Sequence, residues 1–388
     1  MLTRADFEAL DEGDLLADLL ARFHLPAGLI YLDGNSLGPR PLGVKEQVGR
    51  TLDQWADHLI SGWFDDDWVN LPLRVGSKLE RLLGAEPGSV VCTDSTSVNL
   101  YKAVGAACDL TGGAIVTDDG NFPTDLYVLA AVANRWNRPL TVVSPDQLQE
   151  AITPGVGVLS VTHVDYRTGR RHDLMRLTEM AHHVGALTVW DLSHSAGAMP
   201  LDLAKAKIDL AVGCGYKYLN GGPGAPAYIY VSPRWLPEIA NPVTGWFGHA
   251  RPFDFSTSFV GAENIGRMRI GTPDVLSMTA LDAALDVWEG VDLDLVRAKS
   301  EALTGLFMDL VDQEIGGRVA VLTPRSAGQR GSQVSLQTPD AATLIDRLAR
   351  RQVIGDFRSP DVARFGFAPL YTRYRDVWEA VAIIKAEL

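Results

Sequence analysis

Between about residues 84 and 231, short apolar runs alternate with stretches that have the spacing of amphipathic helices. The apolar runs have the length and the β-branched content of buried strands, predicted at 90–93, 114–117, 140–143, 156–161, 187–190, 210–212 and 228–231. The stretches between them predict helices at 98–108, 124–135 and 173–184, with a short piece of helix at 193–198. This alternation predicts an α/β fold with a mainly parallel seven-stranded sheet and helices on both faces.

From about residue 277 the pattern changes to long helical stretches, followed by weaker strands at 319–322 and 333–337 and a helix at 341–350. This order of elements predicts a second, smaller α+β domain. We therefore expect a large domain at 51–275 and a small C-terminal domain at 276–388. Residues 1–50 are expected to pack with the small domain.

The charge balance limits the partners that the chain can bind. Its 388 residues include 48 acidic side chains against 35 Lys and Arg, a formal net charge of −13. Nucleic acids and anionic membranes attract basic surfaces, so the composition predicts neither as a partner. No apolar stretch approaches the roughly 18 residues of a membrane span, and the acidic N-terminus is unlike a signal peptide. We therefore expect a cytoplasmic protein.

A lysine and an aspartate follow two of the predicted core strands. Lys217 stands in the glycine-rich segment GCGYKYLNGGPG after strand 210–212, and Asp191 ends strand 187–190. Ligands of parallel sheets bind at the carboxyl ends of the strands, so both side chains are expected at one site. An amine and an acid so placed suit pyridoxal 5′-phosphate (PLP). The amine forms a Schiff base with the cofactor, and the acid keeps its ring nitrogen protonated.

Two other interpretations of Lys217 are available. Most lysines are solvated surface charges, and some bind phosphate in a P-loop. A P-loop needs Ser or Thr directly after the lysine, and Tyr218 stands there, so that interpretation fails.

Three further features become informative beside this lysine. The hydroxyl-rich turn 95–97 precedes a predicted helix, whose N-terminus would favour a phosphate group, although ordinary helix capping explains such a turn taken alone. His194 follows Asp191 closely, and Phe122 and Asp125 lie in a loop after another strand. Taken singly, these are more often a structural histidine, a core aromatic residue and a first-turn acid.

Several segments together resemble the kynureninases, a family of PLP-dependent hydrolases with the fold-type-I architecture. The resemblance runs from Tyr31 to Tyr374, and the segment YKYLNGGPG alone is shared with other members of the class. The segments are YLDGNSLGPRP (31–41), GWFDDDW (62–68), GNFPTD (120–125), VTHVDYRTGRRHD (161–173), VWDLSHSAGAMPLDL (189–203), GCGYKYLNGGPGAPA (213–227) and GWFGHARPFDF (245–255).

The resemblance implies a role for each matching residue. Lys217 is the Schiff-base lysine, Tyr216 helps to hold the phosphate, and Asp191 pairs with the ring nitrogen. In the implied mechanism Lys217 is the catalytic base for the α-proton, and Tyr216 is the candidate for at least one further proton transfer, with a water relay through His194 as the alternative. Arg364 binds the substrate carboxylate, as the planar guanidinium geometry suits. The other implied cofactor contacts in the same chain are Thr96, Ser97, Phe122, Asp125, Thr162 and His194.

Four more residues bear on the subunit arrangement and on specificity. By resemblance, Trp246 and Thr272 reach the cofactor of a neighbouring subunit, which implies a homodimer with shared sites. Trp63 and Gly271, next to Thr272, resemble the bacterial type of substrate pocket and favour L-kynurenine over its 3-hydroxy form.

The implied reaction is hydrolysis of L-kynurenine to anthranilate and L-alanine in tryptophan degradation, with 3-hydroxykynurenine as a second candidate substrate. Whether the product feeds catabolism, NAD biosynthesis or secondary metabolism stays open.

Other functions of the same fold are weighed against this one. A cysteine desulfurase needs a mobile cysteine, and none of the three cysteines lies in a long loop of the second domain. An aminotransferase would carry the same lysine and aspartate, so product analysis has to separate it. A non-catalytic binding protein predicts loss of Lys217 or Arg364, and both are present.

Overall fold

The computed structural model describes residues 2–388 and contains one large and two smaller β-sheets. The large sheet confirms the predicted mainly parallel, seven-stranded arrangement. The strands, numbered along the chain, are β1 (Ile30–Tyr31), β2 (Val90–Cys92), β3 (Ala114–Asp118), β4 (Leu140–Val143), β5 (Val156–Thr162), β6 (Leu187–Asp191), β7 (Leu210–Cys214), β8 (Ala227–Val231), β9 (Ala320–Val321), β10 (Gln333–Gln337), β11 (Val353–Ile354), β12 (Asp356–Arg358) and β13 (Val362–Gly366).

The large sheet has the strand order β2-β8-β7-β6-β5-β3-β4. Strand β8 is antiparallel to β2 and β7, and the remaining pairs are parallel. Every residue of β5, β6, β7 and β8 is buried. Strands buried on both faces lack polar alternation, which is why the chain shows them as continuous apolar runs.

Helices cover both faces of this sheet. Neighbouring residues of β5 show the arrangement, because Val158 and Leu159 point to opposite faces and join different hydrophobic clusters. The helices are α1 (Arg4–Glu12), α2 (Leu42–His58), α3 (Gly62–Asp65), α4 (Leu71–Leu83), α5 (Thr96–Leu110), α6 (Pro123–Arg135), α7 (Leu148–Ala151), α8 (Leu174–His183), α9 (Val275–Leu285), α10 (Leu293–Glu314), α11 (Ala341–Arg350) and α12 (Tyr374–Glu387).

One predicted helix is wrong. Residues 193–198 form successive turns, in which Ser195 and Ala196 donate to the carbonyl of Leu192. Gly197 then adopts a φ of +80°, which a continuing right-handed helix does not allow. A Cβ at this glycine would lie 3.0 Å from the carbonyl oxygen of Tyr218, so the turn packs tightly against the segment that carries Lys217.

The second half of the chain builds a smaller antiparallel sheet with the strand order β12-β13-β10-β9. Its buried face shares one hydrophobic cluster with α1, α10, α11 and α12, including Phe7, Phe307 and Phe365. The N-terminal segment also contributes β1, which pairs in parallel with β11. Helix α2 packs mainly against α9. The domain spans 1–50, 51–275 and 276–388 stay predictions.

The fold brings the ends of β5, β6 and β7 to one edge of the large sheet. Thr162 is the last residue of β5 and is paired with Asp191, the last residue of β6. Lys217 follows the end of β7 by three residues. Among residues 2–388, no helix is both long and apolar enough to cross a membrane.

Candidate active site

A cavity of about 210 Å³ lies at this edge, between the large sheet and the smaller one. It brings together many of the side chains that the sequence predicted to act on one cofactor. Of the predicted residues, Thr96, Ser97, Phe122, Asp125, Thr162, Asp191, His194, Tyr216, Lys217 and Arg364 line it.

Lys217 is fixed by a tight contact between its turn and the N-terminal loop 31–41. The backbone N–H of Gly38 donates to the carbonyl of Tyr216 at 2.8 Å. A Cβ at Gly38 would lie 2.8 Å from Cα of Asn220, so a larger residue cannot pack there. The Nζ atom of Lys217 lies 2.8 Å from Nε2 of His194.

Two buried acids stand beside the lysine. Burial and the nearby charge of Asp191 raise the pKa of Asp125 well above its usual value, although Thr162 donates to it at 3.2 Å. This direction favours the protonated form of Asp125, which can hydrogen-bond to Asp191. Oδ1 of Asp191 accepts from the backbone N–H of Ser193 at 2.7 Å.

Tyr216 is suited to donating a hydrogen bond. Burial, with the nearby Cys214 and Asp191, raises the pKa of its phenol above the usual value. The hydroxyl therefore keeps its proton throughout the physiological range. Nζ of Lys217 lies 6.0 Å from the centre of the Tyr216 ring.

The hydroxyl-rich turn begins α5, as expected for an anion site. Ser95 caps the helix by accepting from the backbone N–H of Val98 at 3.4 Å. The N–H groups of the first helical turn have no partners within the helix, so they are available to an anion.

A fully buried lysine holds the turn before α5 in place. Nζ of Lys102 donates to Oδ2 of Asp94 at 2.6 Å and to the carbonyl of Met268 at 2.7 Å. Asp94 has a φ of +53°, an unusual conformation for a residue with a side chain. The ion pair with Lys102 stabilises that conformation directly before the helix N-terminus.

Arg364 lies at the other end of the cavity and is only 1 % exposed. Its Nε donates to Oδ1 of Asp356 at 2.7 Å, and its Nη2 donates to Ser36 Oγ at 2.8 Å. Nη1 donates to the backbone carbonyl of Tyr166. These contacts lock the guanidinium in one orientation. Both Nη atoms are engaged in this state, so a ligand carboxylate would bind there by displacing the Ser36 hydroxyl and the Tyr166 carbonyl.

A second guanidinium reinforces the positive charge at this end. Arg358 also lines the cavity, and its Nη2 lies 2.8 Å from Oδ2 of Asp356. One carboxylate is thus shared by Arg358 and Arg364. The other acid nearby, Asp33, has a pKa raised to about 7 by burial and by Asp356. The balance of charge favours an anionic ligand group.

Several residues of the site were not predicted. The residues at positions 35, 36 and 166 lie in segments that carry the family resemblance, so the resemblance could have identified them as candidate site residues. Arg358 comes from the edge strand of the smaller sheet, and nothing in the sequence near it indicates a site. The unpredicted residues that line the cavity are Asn35, Ser36, Thr124, Tyr166, Ser193 and Arg358.

Four predicted residues do not line this cavity within one chain. Trp63 and Thr272 border a separate cavity of about 580 Å³. Trp246 is 39 % exposed and stacks on Phe255, with 6.0 Å between ring centres. Gly271 is exposed, and a Cβ there would meet no atom within 4 Å. Their predicted roles, which for Trp246 and Thr272 involve a second subunit, stay predictions.

The fold is that of PLP-dependent enzymes. The apo structure of a cysteine desulfurase from Thermococcus onnurineus NA1 superposes with a TM-score of 0.81 at 18% identity, covering 95% of this chain and 97% of that chain. A C-DES mutant with glycine covalently linked to its PLP cofactor also gives a TM-score of 0.81, at 17% identity, covering 99% of both chains. The fold-type-I architecture expected from the resemblance is therefore confirmed.

Sequence comparisons give the family. Residues 296–384 match the family model of the kynureninase C-terminal domain. A kynureninase from Pseudomonas fluorescens is 43% identical, covering 99% of this chain and 95% of the relative. A kynureninase from Deinococcus radiodurans is 46% identical, covering 100% of this chain and 97% of the relative. With such identity along its whole length, the chain belongs to the kynureninase family.

Proposed function

We propose that the pocket around Lys217 hydrolyses L-kynurenine to anthranilate and L-alanine, with PLP as its cofactor. The observation that carries this proposal is the full-length similarity to kynureninases of 43% and 46% identity. The pocket supports it, because one amine, a charged acid and a guanidinium face the same cavity.

The residues of the pocket fit this cofactor. Lys217 supplies the amine for its aldehyde, Asp191 a negative charge for its ring nitrogen, and Thr96 and Ser97 a helix N-terminus with hydroxyls for its phosphate. Phe122 borders the same cavity and lies edge-on to the ring of Tyr166, with 5.1 Å between ring centres. When bound, the protonated ring of PLP withdraws electrons from the bonds at the α-carbon of the substrate.

The remaining steps of the proposed reaction are assigned to three side chains of the pocket and to His194. Arg364 binds the α-carboxylate of the substrate and orients the α-carbon toward Lys217. Nζ of Lys217 takes the proton from that carbon, and His194 accepts a hydrogen bond from the same nitrogen. Because its pKa is raised, Tyr216 keeps its hydroxyl hydrogen and can donate a hydrogen bond to the ketone end of the substrate.

The direct test incubates the purified protein with PLP and L-kynurenine and follows anthranilate fluorescence together with L-alanine. We expect stoichiometric amounts of the two products. An aminotransferase, the alternative function, would instead accumulate pyridoxamine phosphate unless a keto acid is supplied. A cysteine desulfurase is disfavoured, because Cys92, Cys108 and Cys214 are all buried. The same assay with 3-hydroxykynurenine compares kcat/KM for the two substrates.

We also propose a homodimer with sites shared between subunits. A group of exposed aromatic side chains surrounds Trp246, in which Phe253 lies 5.7 Å from Trp246 and 5.0 Å from Phe64 between ring centres. Phe255 is 74% exposed and Ile60 is 78% exposed. A second copy would remove this apolar surface from water. Sedimentation at assay concentrations should give a dimer, and a fully active monomer would contradict the proposal.

The cytoplasmic location and a role in NAD biosynthesis stay predictions.

A further inference from the structure

Gln333 is a fully buried polar residue that the proposed mechanism does not use. It begins β10 in the smaller sheet, and its side chain reaches the large domain. Its Oε1 lies 3.2 Å from Nδ1 of His194. Its Nε2 donates to the backbone carbonyl of Tyr166 at 2.9 Å and approaches that of Asp165 at 3.4 Å.

These contacts determine which nitrogen of His194 carries the proton. Backbone carbonyls only accept hydrogen bonds, so the amide NH₂ of Gln333 must face Tyr166 and Asp165. The amide oxygen must then face His194, and because that oxygen also only accepts, Nδ1 of His194 must be the donor. A neutral imidazole with its proton on Nδ1 has a lone pair on Nε2. That lone pair faces Nζ of Lys217, 2.8 Å away.

The imidazole stays neutral in this position. Burial, the charge of Lys217 and the charge of Arg364 hold the pKa of His194 well below its usual value. A second proton on the ring would therefore be strongly disfavoured. The ring can accept a hydrogen bond from Lys217 but does not compete with it as a base.

We propose that Gln333 is a positioning residue that fixes His194 as its Nδ1–H tautomer and thereby directs the amine of Lys217. When Lys217 is an ammonium, Nε2 accepts one of its protons. When Lys217 is a neutral amine, it still donates one N–H to Nε2, so its own lone pair points away from the imidazole. The other tautomer would place an N–H against Nζ and would repel the ammonium.

The same glutamine links this arrangement to the residue proposed to bind the substrate carboxylate. The carbonyl of Tyr166 accepts from both Nε2 of Gln333 and Nη1 of Arg364. In the smaller sheet, β10 and β13 are adjacent, with Ser335 opposite Arg364. The smaller sheet therefore supplies both the carboxylate clamp and the group that orients the catalytic lysine. This inference rests on the proposed use of Lys217 as the amine that binds PLP and moves the α-proton.

The test uses the ring ¹⁵N spectra of the full-length protein labelled at histidine, with PLP bound and after its removal. Loss of signals in a His194→Phe variant assigns the ring. We expect wild-type His194 in the Nδ1–H form in both states. In Gln333→Leu, that form gives way to the Nε2–H form or to a mixture. Gln333→Glu retains an acceptor for Nδ1 and should keep the wild-type tautomer.

A second measurement reports on Lys217 without substrate. Mixing cofactor-free protein with PLP gives the rate at which the lysine captures the aldehyde. We expect Gln333→Leu to slow this capture by about tenfold, less than the roughly hundredfold lost when a proton-transfer group is removed, because the lysine is misoriented but still present. Gln337→Leu is the matched control, since Gln337 lies on the same strand and donates to Asp361 at 2.6 Å. It should leave the tautomer and the capture rate unchanged.

Two outcomes would overturn the inference. One is a wild-type His194 in the Nε2–H form, which decides the matter even if Gln333→Leu fails to fold. The other is a folded Gln333→Leu protein with the wild-type tautomer and capture rate. Neither measurement uses L-kynurenine. A protein that shows the expected tautomer but forms no anthranilate would contradict the proposed function alone.

Discussion

Replacing Lys217 by alanine removes both the covalent attachment of PLP and the turnover of L-kynurenine. Lys217 is the only lysine lining the cavity among residues 2–388, so no other amine is in place to react with the aldehyde. The same change removes the base for the α-proton. We expect kcat to fall on the order of a thousandfold or more, because nucleophile and base are lost together. The visible absorbance of the lysine-linked cofactor should disappear, while PLP added in excess is still retained by the phosphate turn.

The control for this prediction is Lys205→Ala, at an exposed lysine remote from the cavity. It should bind PLP covalently and turn over L-kynurenine at the wild-type rate. A Lys217→Ala protein that retains activity, or that keeps the absorbance of covalently bound cofactor, would remove Lys217 from the mechanism.

Asp191→Asn should be far more damaging than Asp125→Asn, although the two acids are neighbours. The carboxylate of Asp191 is the proposed partner of the PLP ring nitrogen, and an amide there would leave that nitrogen without a counter-charge. We expect kcat to fall on the order of a hundredfold or more, as for loss of a preorganised electrostatic contact. Burial and Asp191 raise the pKa of Asp125, which favours its protonated form. A neutral amide therefore mimics its native state.

The two variants should be compared at saturating PLP, so that weaker cofactor binding does not obscure the effect on kcat. Asp125→Asn retains a hydrogen-bonding group for Thr162 and should lose less than about tenfold in kcat. Equal losses in the two variants, or a larger loss in Asp125→Asn, would contradict the assignment of the counter-charge to Asp191.

The sheet could be predicted from the sequence because its central strands are buried on both faces. β5 is mostly apolar, with Ser160 as its one interior polar residue, and Thr162 at its end marks the edge where ligands bind. Lys217 and Asp191 were found by the same rule. The turns at 193–198 were mistaken for a helix, because the spacing of apolar residues does not reveal that Gly197 has a positive φ. No elements were predicted for the stretches that form α2 and α4.

Most of the residues that the smaller sheet contributes to the site could not be predicted from the sequence. Arg364 was identified through the family resemblance, whereas Arg358 and Gln333 carried no signal of their own. Gln333 resembles any polar residue at the start of a strand until the sheets are placed together. Its importance depends on distances to His194 and to the carbonyl of Tyr166, which are far from it along the chain. Contacts between two sheets that are far apart along the chain are what single-sequence patterns do not encode.

Gly271 and Thr272, predicted from the resemblance to lie at the substrate pocket, are the positions at which a redesign of substrate preference would test that prediction, and a Cβ at the glycine meets no atom within 4 Å in this chain. The backbone only three residues earlier, at Met268, is tied through Lys102 to the turn that precedes the phosphate-binding helix. A mutation that displaces this segment would therefore also loosen the hold on PLP. Libraries at these positions should be screened with added cofactor, so that variants with improved specificity are not discarded as inactive apoenzyme.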